Sequence, residues 1–257
     1  MDVTERVVAV ISYLAADDKT HGVTEIRERL GISKSTVHRI LSSLERMNWV
    51  DRDPETRKYR IGNQLLEIGL TVLSGLDIRT ISIPYLSQLT RSTNETSMLS
   101  LRIGYERVYI EQIEGSYEVR MIPPLGKRHP LWCGAGGKAI LAYMDHSEIE
   151  TVVGHLKEES RPSFPGSGRK INVDLLMKEL AEIRRQGFAM SFQERVPGAA
   201  SVSAPIFGRD NRVAGSIAIA GHLDRFTDQV TKEYADLVTQ AVREINSRIG
   251  SIRAYQN

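Results

Sequence analysis

Between Ser33 and Arg60 the chain carries seven lysines and arginines against four carboxylates, in a protein whose formal net charge is only +2. Lys34, Ser35, Thr36, His38 and Arg39 fall on one side of a helical repeat whose other side is Val37, Ile40, Leu41, Leu44 and Met47. Cations and short hydroxyls at the start of a helix can bond base edges and phosphates when that helix enters a major groove. Ser35, Thr36 and Arg39 are placed to read bases. Downstream, Arg52, Arg57, Lys58 and Tyr59 flank Pro54-Glu55-Thr56, where proline presets a turn. With Lys34 they suit the phosphate backbone of a duplex.

A second set of residues could enclose a small molecule. In 129–141, HPLWCGAGGKAIL, the run Gly134, Ala135, Gly136, Gly137 lets the backbone approach a ligand closely. The helix that follows offers unpaired N–H groups and a positive dipole end to a carboxylate, with Lys138 in its first turn. Cys133 near His129 is the one tempting nucleophile and base, since a helix start can lower a thiol pKa. No third group orients that base, and a single buried or pocket-lining cysteine is the ordinary outcome. With one cysteine in the chain, an intramolecular disulfide framework is excluded and a multi-thiolate zinc site is not expected. No metal or cofactor set is apparent.

The elements that must position these groups follow from periodicity. Residues 3–14 read as a helix with apolar positions 3, 7, 8, 10, 11 and 14. Thr24 is a sensible N-cap for a second helix carrying Ile26 and Leu30, and His21 in the polar loop before it reads as a solvated surface histidine. Gly31 supplies the sharp turn and Ser33 caps the third helix. WVDRD and RKYRI then make a hairpin, which completes a winged helix-turn-helix over 24–61. Residues 64–76 form an amphipathic helix too apolar for an isolated linker. Either it packs on a partner chain, fixing the spacing of two heads, or it packs on its own domain.

Past Asp77 the pattern alternates between helix and strand. A helix is expected over 83–91, beginning at Pro84, then strands at 96–103, 107–113 and 118–122 and helices at 136–144 and 147–156. The Pro/Gly-rich loop 157–170 is long enough to act as a flap. A helix at 173–186, strands at 188–193, 200–207 and 212–220 with a turn at Asp210-Asn211, and a long helix from Thr227 to about 249 complete the chain. The fold class is α+β: an N-terminal winged helix-turn-helix (1–62), a linker helix (63–78), and a C-terminal antiparallel sheet of about six strands flanked by helices (79–257).

Composition narrows the function classes. At 257 residues, 41% hydrophobic and 26% charged, the chain is long enough for two domains and ordinary for a soluble protein. It has no apolar run of the roughly 20 residues a membrane span needs, and MDVTERVV lacks the layout of a signal peptide, so a cytoplasmic protein with no membrane partner is expected. Attraction to DNA cannot rest on so small a net charge. It must come from local placement of Lys and Arg and from doubling the footprint by dimerisation.

GVTEIRERLGISKSTVHRILSSLERMNWV is similar to the DNA-binding pattern of the IclR family of transcriptional regulators, a helix and a Gly-containing turn followed by S-x-S-T-V-x-R-x-L. The similarity runs over nearly the full length. The resemblance implies double-stranded operator DNA as partner, assembly as a homodimer or dimer of dimers, and a GAF-like, profilin-like effector-binding domain. HPLWCGAGGKAIL resembles the family's P-L-x-x-x-x-x-G-K-x-x-L-A motif, whose small residues border the effector pocket. In 190–204, MSFQERVPGAASVSA, Glu194 and Pro197-Gly198 match the family pattern. Ser201 stands where the family has a cysteine, Ser191 where an aspartate is usual, and Ala218 and Ala220 where the next strand carries serines.

These departures imply a less polar pocket lined by Met121, Trp132, Cys133, Ala135, Gly136, Met190, Ser191, Ala199, Ser201, Ala218 and Ala220. Its effector would be apolar or aromatic, such as a carboxylate, with Ser201 as polar anchor. The expected function is a sequence-specific regulator, a repressor, whose operator binding responds to that effector. The competing readings are a DNA-binding protein without a ligand and a GAF-type enzyme using Cys133.

Overall fold

The computed structural model describes residues 1–74, 77–158, 163–164, 168 and 170–254, the side chains of 73–74 and 251–254 excepted. Most of the loop expected to act as a flap lies outside the described residues. The chain divides into two units, Met1–Leu76 and Asp77–Asn257.

The first unit is built from α1 (Val3–Leu14), α2 (Val23–Leu30), α3 (Lys34–Arg46), the strands β1 (Val50–Arg52) and β2 (Tyr59–Ile61), and α4 (Asn63–Ser74). Its core is the meeting of the apolar stripes: Val10 and Leu14, Ile26, then Val37, Ile40, Leu41 and Leu44, closed by Val50 and Tyr59. Gly22, not Thr24, is the N-cap of α2, whose first turn already includes Thr24. Met47, expected inside, ends α3 and is 49% exposed, because the helix stops there and the chain turns away. Asn48, at φ 56, makes that turn. Its carbonyl accepts from the Gln64 N–H at 3.1 Å, and a Cβ on Gly62 would lie 2.5 Å from the same oxygen, so only glycine fits there. On α4 the apolar side chains Leu66, Ile68, Leu70 and Val72 are exposed.

The second unit places α5 (Asp77–Thr93) before β3 (Thr96–Ile103), β4 (Glu106–Ile113) and β5 (Arg128–Pro130). Then come α6 (Gly134–Leu141), α7 (His146–Glu158), α8 (Val173–Gln186), β6 (Ala189–Phe192), β7 (Ala199–Phe207), β8 (Val213–His222) and α9 (Asp228–Ala254). The six strands form one antiparallel sheet in the order β5-β4-β3-β8-β7-β6. Alternation divides its two faces. Leu99, Val202, Ala204, Ile206, Ile217 and Ile219 pack against Leu86 and Leu89 of α5 and Val238, Val242 and Ile245 of α9. Each leucine, isoleucine or valine among them contributes roughly 1.5–3 kcal/mol by burial. The opposite face carries Met98, Tyr109, Ala218 and Ala220 and is partly covered by α6, whose own layer is completed by α7 and α8.

Two expectations fail in this unit. The helix expected from Pro84 begins at Asp77, with Pro84 in its interior. Ile78 and Ile81 in the earlier turns pack on the core, and that burial outweighs the bond proline removes. Residues 118–122 are not a strand: the edge partner of β4 is instead the short β5. The proline pair at 123–124 cannot donate to a ladder, and this stretch runs over the sheet.

Candidate functional site

On the first unit, the Ser33 hydroxyl accepts from the Thr36 N–H at 3.3 Å and lies 2.8 Å from the Thr36 hydroxyl, which fixes the start of α3. Gly31, at φ 66, makes the preceding turn. With one side of α3 buried, Lys34, Ser35, His38 and Arg39 are exposed together and Thr36 is half-buried beside them. In the hairpin the Asp53 carboxylate accepts from the Glu55 and Thr56 N–H groups at 3.0 and 2.7 Å. That closes the turn and leaves Arg52, Arg57 and Lys58 exposed.

Tyr59 is not among the available side chains. It is 2% exposed in the core of this unit, because alternation in β2 turns it inward while Arg60 points out. Its ring takes Arg52 at 5.6 Å on one face. Its backbone pairs with His21 through N–H···O bonds of 2.8 and 2.9 Å. His21, expected to be solvated, is 5% exposed, with Nδ1 2.8 Å from Glu25 and Nε2 2.9 Å from Asp17. These two neighbours hold the ring charged, and the His21 backbone ties the wing to the loop before α2.

On the second unit a cavity of about 270 Å³ opens between the uncovered sheet face, the start of α6, the 194–196 loop and the strap 121–124. This is near the lower end of small-molecule sites. Register explains its lining. Ser191, Ser201 and Ala220 lie in one row across β6, β7 and β8, and Ala218 pairs with Met98 of β3. Ala199, Gly136 and Met121 also line it.

Four of the expected lining residues do not. Met190 pairs with Val202 and packs on the α5/α9 side, the parity opposite to Ser191. Trp132 packs in the α6–α8 layer and Ala135 is buried there. Cys133 is the fully buried residue preceding α6. Burial, then the Glu194 charge, pushes its thiol up to about 11, so it stays protonated and out of reach as a nucleophile.

The cavity is also less apolar than expected, because side chains from β4 and the loop before β7 contribute charge to it. Arg107 and Tyr109 on β4 line it, together with Glu194 and Arg195. Arg107 is 2% exposed and lies 4.6 Å from the Tyr109 ring centroid, with Arg195 at 5.8 Å from the same ring. A Cβ on Gly136 or Gly134 would meet the Arg107 guanidinium at 3.1 or 3.2 Å, which is what glycine supplies at these two positions. The N-terminus of α6, expected to be open to a ligand, already receives a protein carboxylate. The Gly134 N–H donates to Glu194 at 2.8 Å, and buried Lys138 pairs with Glu194 and Glu179. His129 sits edge-on to Tyr109, and burial and then the charges of Arg195, Arg107 and Lys127 push its pKa down to about 3. The ring is therefore neutral, and its Nε2 accepts from Arg195 at 3.4 Å. The signal for Arg107 and Tyr109 was present in RVYIEQI: an arginine and an aromatic two apart, on one face of a strand otherwise rich in apolar residues.

Among the described residues no group of His, Cys, Asp and Glu side chains could hold a metal ion, and no helix is long and apolar enough to cross a membrane.

The geometry has counterparts among known proteins. Residues 3–54 match the model of the IclR helix-turn-helix domain, and residues 70–247 that of the bacterial transcriptional regulator IclR C-terminal domain. The chain is 35% identical over 228 residues to the HTH-type transcriptional regulator KipR of Bacillus subtilis, covering 89% of each protein. It is 29% identical to the HTH-type transcriptional regulator XynR of Escherichia coli, covering 96% of both. The crystal structure of the Thermotoga maritima IclR superposes with a TM-score of 0.74 at 28% identity, covering 96% of this chain and 98% of that one. A regulator of this group reads DNA through its helix-turn-helix, and this chain belongs to the IclR family of bacterial transcriptional regulators.

Proposed function

We propose that the chain is a cytoplasmic repressor whose grip on operator DNA changes when a small organic molecule enters the cavity of the second unit. Ser35, Thr36 and Arg39 read base edges, and Lys34, His38, Arg52, Arg57 and Lys58 hold the duplex around them. The observation that carries this is the single exposed cluster on α3, oriented by the Ser33 cap and continued by the cations of the wing. Leu66, Ile68, Leu70 and Val72 on α4 pack on a second copy, giving a dimer or dimer of dimers whose paired heads meet half-sites about 10 base pairs apart or a multiple of that. In this division of labour residues 1–62 bind DNA, 63–78 connect, and 79–257 sense. The effector acts only insofar as it binds one arrangement of the heads better than the other.

A DNA-binding protein without a ligand would need no cavity, and the open space among Gly136, Ser201 and Ala220 favours the sensor. Selection of genomic fragments by the purified protein, footprinted with and without metabolite pools at moderate ionic strength, tests the reading. Protection of a pseudo-palindrome that metabolites weaken is the expected result. Equal retention of all fragments would refute DNA specificity, and protection indifferent to every pool would refute the sensor.

A further inference from the structure

We infer that Arg225 is the latch of the cavity: clamped by Glu95, it holds the strap between β4 and β5 closed over the site and so sets how fast a ligand enters and leaves. This rests on the reading of the cavity as an effector site and deepens it by naming the residue that governs its opening.

The strap is the strand-free run 114–127. Met121, Ile122, Pro123 and Pro124 line the cavity from above, and Met121 packs onto Met98, Tyr109, Ala218 and Ala220 of the sheet face. Backbone bonds pin both ends of the run. At the first end the Gly115 N–H donates to the Thr96 hydroxyl at 3.2 Å and the Ser116 N–H to the Asn94 carbonyl at 3.0 Å. At the second the Gly126 N–H donates to the Tyr109 carbonyl at 2.8 Å. Over 117–125 the one hydrogen bond to a group outside the strap, among the described residues, runs from Arg225 Nη2 to the Val119 carbonyl at 3.0 Å. Val119, Ile122 and Leu125 are exposed and add little packing. A span so lightly held opens at low cost, and removing its one anchor changes the open fraction directly.

Arg225 is itself firmly placed. It ends the turn Leu223–Arg225 between β8 and α9, and its Nε and Nη2 meet the two Glu95 oxygens at 2.5 and 2.9 Å. Glu95 is fully buried. A Cβ on Gly221 would collide with that carboxylate, so glycine makes the room for it. A planar guanidinium can answer both oxygens and still offer an N–H to the Val119 carbonyl, and it lies 4.2 Å from the Tyr117 ring centroid. A buried ion pair adds little to stability beyond what packed apolar groups would give. What this one fixes is the position of a group that grips the strap from two sides, carbonyl and ring.

Thiol labelling of the full-length protein tests the latch without any ligand. Ala220→Cys places a thiol on the cavity floor against Met121, and the fully buried Cys133 serves as the internal control for wider opening. Labelling by iodoacetamide is read peptide by peptide in a mass spectrometer. Tyr117→Leu removes the ring, and Arg225→Lys keeps Glu95 paired while losing the fork. Each should quicken labelling at position 220 about tenfold or more and leave Cys133 as slow as in the parent. Arg120→Gln, which removes only contacts within the strap, should change neither rate. Unchanged labelling at position 220 in both latch variants, equal acceleration at Cys133, or acceleration of the same size by Arg120→Gln would each overturn the latch and leave the effector site standing. DNA protection indifferent to every metabolite pool is the separate result that removes the effector site. Should Arg225→Lys fold poorly, Tyr117→Leu, a change at a partly exposed ring, decides the matter.

Discussion

Replacing His21 by glutamine asks whether the wing is held in place by a charged histidine. The two ring nitrogens face Glu25 at 2.8 Å and Asp17 at 2.9 Å. A carboxylate can only accept, so both nitrogens donate and the ring is an imidazolium. Burial works against that charge, and the bonds from Glu25 and Asp17 outweigh it, so the His21 pKa stands above its ordinary 6.5. Glu25 is held low by His21 and then Tyr13, and Asp17 by the Lys19 N–H and then His21. Hydrogen bonds to charged groups contribute roughly 1.5–3 kcal/mol each, but Glu25 is 49% exposed and solvent screens it. Leaving the exposed Asp17 carboxylate out of the figure, His21→Gln should cost the first unit roughly 1–2 kcal/mol, which is roughly 4–8 °C per kcal/mol for a unit of this size.

The sign with pH follows from the directions of these shifts. A raised histidine pKa means that its contribution is complete below about 6.5 and is lost as pH rises through the folded value. The lowered carboxylates contribute fully above about 4.5 and lose their contribution as pH falls through their folded values. Urea unfolding of the full chain, with Trp132→Phe leaving Trp49 as the one tryptophan reporter, measures the effect. The parent should lose stability between about pH 6 and pH 9 while His21→Gln stays flat and meets it at the alkaline end. A variant equally destabilised at both pH values, or a parent with no slope, would refute the charged clamp.

Further outcomes are expected elsewhere in the molecule. Arg39→Ala should cost roughly 1–3 kcal/mol on the cognate site and relax its sequence preference, whereas Lys58→Ala should weaken all DNA alike and lower the salt slope by about one. Titrations on cognate and random duplexes separate the two, and equal losses on both duplexes for Arg39→Ala would remove it from the base-reading set. Tyr59→Ala should destabilise the first unit by about 3–5 kcal/mol, while Tyr59→Phe should leave operator affinity unchanged. A loss of affinity confined to Tyr59→Phe would restore the tyrosine as a phosphate contact. Ala220→Leu fills part of the cavity, so it should abolish ligand-induced thermal shifts without altering DNA binding in their absence. Shifts of undiminished size would move the effector elsewhere.

Much of the fold was legible because its elements repeat over many residues. The stripe of α3, the cap at Ser33 and the α8 helix over Val173–Gln186 are each set by local pattern. What escaped depends on long-range pairing or on single-residue parity. Nothing near His21 announces that its backbone will bridge to Tyr59, thirty-eight positions along the chain. Met190 and Ser191 were both expected in the pocket, yet neighbours on a strand face opposite sides, and pairing with Val202 and Ser201 decides which goes where. Tyr59 was misassigned for the same reason: in a strand of three residues its cationic neighbours dominate the impression, while the pleat alone determines that it points inward. The arginines of the cavity escaped because they come from β4 and the loop before β7, which only the completed sheet brings to one place.

The Asn48 carbonyl, shared between the close approach of Gly62 and the Gln64 N–H, welds the tail of the reading helix to the head of α4. That joint fixes the direction in which α4 leaves the reading helix. Residue 62 is thereby a keystone: a bulkier side chain there would have to push aside the backbone of Asn48 and Val50, so the change that frees α4 would also disturb the wing and the seat of α3.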